Sequence, residues 1–184
     1  MKRRAYVDFQ APRDNKAIYR KHRQAIDLIV EYGTASSVVE AIKAEIETLV
    51  ECEYLIQKPT AVWFLPKALA KLPPGQDMST WPFMCWCYHA RKENQLYMCL
   101  QLYQMADPDK RARLVDAIRA TRLKLSASKN ETTIASARQK LNLNEDGFPD
   151  LSDDAVRPLV AALWKKMWHD GEKIVDVVKN FEWG

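Results

Sequence analysis

Glycine is scarce in this chain, with five in 184 residues. Tight hairpin turns draw on glycine for positive φ angles, so its scarcity leans the composition toward helix. Cysteine is scarce too: four residues are too few for a disulfide scaffold. No segment approaches the roughly eighteen consecutive apolar residues of a membrane span. The basic opening MKRRAYVDFQAPRDNK has no apolar run behind it, so no secretory signal is expected. These absences favour a reducing, cytoplasmic setting. Histidine numbers three, none in a recognisable catalytic motif. There is no Gly-x-Gly-x-x-Gly, Walker loop, Gly-x-Ser-x-Gly or His-Glu-x-x-His, so the enzyme classes built on those motifs lack their signature.

What is present is ordinary for a globular chain: 47% hydrophobic and 28% charged residues, enough to bury a real core. The periodicity predicts a mainly α protein, a compact bundle of six to eight helices with at most one short β-hairpin near 54–65. Ile18, Tyr19, His22, Ala25, Ile26 and Ile29 recur at helical spacing before Gly33. Ser37 and Glu40 form a capping-box pair, and Val38, Val39, Ile42, Ile46, Leu49, Val50 and Tyr54 make one apolar stripe, predicting a helix over about 37–54. YLIQ and AVWFLP are β-prone runs around Lys58-Pro59-Thr60, a hairpin signal. Further helices are expected over about 82–106, 108–125 (opened by Asp107-Pro108), 131–141 and from Val156 to Met167. A single domain over 1–184 accommodates all of this. Pro73-Pro74-Gly75 marks the place, 73–80, where an internal subdomain boundary would fall. Compactness and the lack of low-complexity linkers suggest a prokaryotic or phage source.

The net charge of +4 conceals blocks. Residues 1–25 carry +6, 26–57 carry −6, 107–140 carry +5 and 141–154 carry −5. Such blocks either lay down separate charged surfaces or pair internally on folding. Arg3, Arg4, Arg13, Lys16, Arg20, Lys21 and Arg23 form one basic set, and Lys110, Arg111, Arg113, Arg119, Arg122 and Lys124 another. Rows of arginine and lysine on helices suit the phosphate backbone of nucleic acid. Tyr6, Phe9 and Tyr19 are candidate base-stacking rings beside the first set.

Two other constellations bear on metals. NLNEDGFPDLSD, residues 142–153, resembles an EF-hand or dockerin-type calcium loop over these twelve residues only. Asn142, Asn144, Asp146, Asp150 and Asp153 fall at ligand positions and Gly147 at the sharp turn. Asn142 replaces the first aspartate, and Pro149 the usual aliphatic residue. The alternative is a turn between helices in which Asp153 or Asp154 caps the second. In PFMCWCYHA, Cys85, Cys87 and His89 would share one face of a strand; they are either zinc ligands or buried core groups. A Cys–His dyad drawn from them is the one enzymatic arrangement the motif offers. No cofactor is expected beyond these candidate calcium and zinc positions.

The functional expectation is a non-enzymatic binding or regulatory protein that contacts nucleic-acid backbone, or a nucleoprotein complex, through basic helices. The second reading is a protein-binding adaptor or inhibitor of the phage or plasmid anti-defence type. It would act on a basic protein partner through the acidic helix at 37–54 and exposed aromatics, for which Trp164, Trp168 and Trp183 are candidates. Neither reading involves a membrane.

Overall fold

The segment 83–102 is where the chain departs from the helical expectation. The computed structural model describes residues 22, 37–70, 81–127, 131–147 and 149–183. Every element named below lies in the unit formed by Ala35–Gly184. The boundary expected at 73–80, the helix expected before Gly33, and the basic set Arg3, Arg4, Arg13, Lys16, Arg20, Lys21 and Arg23 fall outside the described residues, as do Tyr6, Phe9 and Tyr19.

Helix α1 covers 37–49. It is followed by strands β1 (Cys52–Gln57) and β2 (Ala61–Pro66), β3 (Phe83–Ala90) and β4 (Gln95–Leu102), helix α2 (Pro108–Ala120), strands β5 (Ser126–Ala127) and β6 (Thr132–Lys140), and helices α3 (Asp153–Gly171) and α4 (Val175–Asn180). The strands form one sheet in the order β1-β2-β3-β4-β6-β5, antiparallel at every pairing. The expectation of a six-to-eight-helix bundle is therefore wrong: this is a mixed fold centred on a six-stranded antiparallel sheet. The helices expected over 82–106 and 131–141 are strands. The hairpin expected near 54–65 is present, and α2 begins as expected, with the Asp107 carboxylate accepting from the Lys110 N–H at 2.9 Å and Pro108 in the first position.

The physical reason is that apolar and aromatic residues line both faces of the middle strands, so helical and strand spacings look alike over short windows. The register settles which residues share a face. Phe83, Cys85 and Cys87 on β3 pair with Leu102, Leu100 and Met98 on β4 and lie beside Phe64 and Val62 on β2, all fully buried. This is the side on which the helices pack. Trp164 of α3 meets Phe64 with ring centroids 5.9 Å apart, and Arg157 of α3 donates to Glu45 of α1 at 2.8 Å. Val156, Val160, Leu163 and Met167 of α3, with Val38, Val39, Ile42 and Ile46 of α1, complete the core. Each such side chain contributes about 1.5–3 kcal/mol by leaving water. At Gly171 an added Cβ would lie 2.9 Å from the Trp168 ring and 3.4 Å from Leu100, so glycine there lets the end of α3 close down on β4.

The hairpins turn without glycine. β1–β2 reverses through Lys58-Pro59-Thr60, where the Lys58 N–H donates to the Ala61 carbonyl. β3–β4 reverses through a 3-10 turn, Arg91–Glu93, that ends on Asn94 at φ 48°. Asparagine tolerates the left-handed region better than other non-glycine residues. Glycine scarcity was therefore no barrier to a sheet.

Candidate nucleic-acid interface

Alternation along the strands fixes the opposite side of the sheet as firmly as the buried one. Trp63 of β2 is opposite Trp86 of β3; Tyr88 of β3 is opposite Tyr97 of β4, which is opposite Arg138 of β6. No described helix packs on this side. Trp86 and Tyr88 stack at 5.0 Å, and Tyr97 packs 5.5 Å from each of them. The Arg138 guanidinium sits 5.1 Å above Tyr97, and the Lys58 ammonium 5.8 Å from the Trp63 ring. Trp63 is 37% exposed, high for a tryptophan in the middle of a sheet.

One buried polar residue orders the cluster. Gln101, 3% exposed, accepts from Trp86 Nε1–H at 2.6 Å and from the Tyr103 hydroxyl at 2.9 Å, and its amide donates to Thr133 Oγ1 at 3.3 Å. The indole of Trp86 is thus held at one angle. Burial, ahead of any neighbouring charge, pushes the Tyr88 and Tyr97 phenols above their ordinary value. These rings stay neutral and serve as flat apolar surfaces.

The β1–β2 turn, the β3–β4 turn and the last residues of β6 lie at one end of the sheet, because Gln57 pairs with Val62, Ala61 with Tyr88 and Gln95 with Lys140. That end carries exposed Lys58, Arg91, Lys92, Arg138 and Lys140, with Glu93 as the acid in the turn. The acidic segment after β6 starts from the same end, where the Leu141 N–H donates to the Asn94 carbonyl, and then leads to α3 on the helix side.

The second basic set is partly consumed by the fold. Arg111 donates from Nε to the Tyr103 carbonyl and from its terminal nitrogen to Thr132 Oγ1, both at 2.9 Å, fastening α2 to the sheet. Lys110 Nζ donates to the Trp183 carbonyl. Arg119 pairs with Asp116 at 3.2 Å, both exposed. Arg113, Arg122 and Lys124 are exposed, with Arg113 at the mouth of a groove between α2 and α4 that also carries Asp176 and Glu182. Since α2 follows the far end of β4, this set and the basic rim lie at opposite ends of the sheet.

The acidic helix is engaged as well. Glu45 binds Arg157, Glu47 pairs with Lys43, and Glu51 pairs with Lys67. Trp164 and Trp168 stack at 4.7 Å against the core, and Trp183 packs between Trp81 and Phe181. These three tryptophans anchor the helices and the C-terminal segment.

The metal candidates are placed as follows. Asp150 accepts from the Ser152 N–H and hydroxyl, and these bonds hold its carboxyl below the usual range. The Asn142 and Asn144 carbonyls accept from the Asp150 and Gly147 N–H groups, Leu143 bridges Pro149, and Asp153 enters the first turn of α3. The segment is a small closed loop in which Gly147, at φ 79°, supplies the reversal. Cys85, Cys87 and His89 share the helix side of β3. Among the described residues no three His, Cys, Asp or Glu side chains come together as a metal-holding group. Burial pushes both thiols far up, whereas a nucleophilic dyad needs a thiolate.

Residues that sequence reasoning missed are Trp63, Trp86, Tyr88, Tyr97, Arg138, Lys58, Lys92 and Lys140. The signal for two of them was available: Trp86 and Tyr88 alternate with Cys85, Cys87 and His89. No family model matches the chain, and no curated protein or solved structure matches it significantly. Among the described residues no helix is long and apolar enough to cross a membrane.

Proposed function

We propose that this protein is a non-enzymatic nucleic-acid-binding module whose contact surface is the side of its sheet on which no described helix packs. The observation that carries the reading is the interleaving of cations with rings there: Arg138 over Tyr97 and Lys58 over Trp63, at the end where Lys92 and Lys140 also stand. Phosphate needs the cations and bases need the rings, and the two occur within one side-chain length of each other. The paired Glu45 and Glu47 of α1 and the packed C-terminal tryptophans leave less for the adaptor reading to use.

The test is oligonucleotide binding by fluorescence anisotropy across a salt series. With four rim cations engaged (Lys58, Lys92, Arg138 and Lys140), log K should fall against log salt with a slope of roughly −3. The double reversal Arg138→Glu/Lys140→Glu should abolish most of the affinity, while Arg119→Glu/Arg122→Glu should change it little. A flat salt response refutes the proposal. The opposite ranking of the two double variants refutes this surface and returns the contact to α2.

A further inference from the structure

Resting on that reading, we infer that the surface selects single strands, with Trp63 as the principal base-stacking platform. In a duplex each base has its faces covered by its neighbours, and what a flat protein surface meets is the sugar–phosphate ridge. A ring can stack only on a base whose π-face is free, and that requires an unpaired strand. Duplex readers instead send a helix or a two-stranded ribbon into the major groove. The described part of this side is a sheet face, with the rings standing on adjacent strands rather than on a projecting element.

Charge complementarity names the occupant. Going across the strands, Trp63 leads to Trp86, while one residue pair nearer the basic end Tyr88, Tyr97 and Arg138 form the parallel row. Trp86, Tyr88 and Tyr97 are packed on one another and are half-buried. Trp63 is exposed, and Lys58 beside it supplies a cation for the phosphate next to a stacked base. A polyanion whose flat groups alternate with its charges fits this pattern, and a single strand is such a polyanion.

The experiment uses the full chain with an unstructured single strand of about 16 nucleotides, the size that a small β-module covers, and with the same strand annealed to its complement, each made as DNA and as RNA. Wild type should bind single strand at least about tenfold more tightly than duplex. Trp63→Ala should weaken single-strand binding by roughly 5- to 150-fold while leaving duplex binding within about twofold. Trp63→Phe should restore most of the loss. Thermal melting of both variants confirms that they fold, since Trp63 is exposed. Equal affinity for single strand and duplex overturns the inference, as does a Trp63→Ala variant that keeps the wild-type ratio; binding in those outcomes leaves the nucleic-acid reading standing. If wild type binds no strand in any form at low salt, both fall together. The DNA and RNA arms identify which polymer is preferred.

Discussion

Replacing Gln101 by leucine tests the polar bond that orders the aromatic side of the sheet. Leucine has similar bulk but cannot accept from Trp86 Nε1–H or from the Tyr103 hydroxyl, bonds of 2.6 and 2.9 Å in the native protein. The Tyr103 hydroxyl can rotate toward water. The indole N–H cannot, because its ring is wedged against Tyr88 and Tyr97. Stranding a buried donor costs about 1–3 kcal/mol, and the partial exposure of Trp86 places this case near 2 kcal/mol. For a chain of this size that is a fall in melting temperature of about 4–8 °C. The assay is denaturant unfolding of wild type, Gln101→Leu, Trp86→Phe and the double variant, with the midpoint moving at constant slope. If the bond exists, the double variant should be less destabilised than the sum of the singles by about 1 kcal/mol, because either single change already removes it. Additivity within about 0.5 kcal/mol would refute the argument.

Two further outcomes follow from buried titratable groups. His89 is held below its ordinary value, first by burial and second by the charge of Arg91. Because the unfolded chain then takes up the proton first, this stability is complete above about pH 6.5 and is lost as pH falls below that value toward the folded pKa. His89→Gln should therefore gain on wild type in urea unfolding as pH falls from about 7.5 to 5.5; a constant gap across that window would contradict the placement of His89. The thiols give the second. Cys52 is half-buried and pushed up to about 11 by burial and then by Glu47, while Cys85, Cys87 and Cys99 are buried and also pushed well up, chiefly by burial. Iodoacetamide at about pH 8 should label Cys52 slowly and leave the other three intact until denaturant is added. Mass spectrometry of the intact chain counts the labels, and native-state labelling of Cys85 or Cys87 would mean that the β3 core is not closed.

The parts of the fold that sequence reading reached are those with a local chemical cause. Asp107-Pro108 starts a helix wherever it occurs before a helix-forming run, and Lys58-Pro59-Thr60 turns the chain between two β-prone segments. The middle strands escaped because their signals are tertiary. Residues 83–103 contain no valine, isoleucine or threonine, so the β-branched part of the usual strand signal is missing, and Met84, Tyr88, Leu96, Cys99, Leu100 and Tyr103 fit a helix by spacing alone. The turn that decides the matter rests on one asparagine in a left-handed conformation, which reads in sequence as part of a charged surface, Arg91-Lys92-Glu93-Asn94. The candidate site was lost with the strands. Trp63, Tyr97 and Arg138 lie far apart in the chain, and only strand pairing makes them neighbours. The basic α2 set was legible as charge, but not the fact that Arg111 is a fastener for β4 and β6.

Placing the helices that pack on the sheet along one side divides the molecule into two independent chemistries. Phe64, Cys85, Cys87, Leu100 and Ala137 close the core on one surface of the strands, and the residues that would meet a ligand sit on the other, one position along. An engineer could exchange Trp63 or Arg138 for other side chains without disturbing the buried Phe64 or Ala137 next to them. Affinity and preference in this scaffold should therefore be adjustable with little effect on the melting temperature.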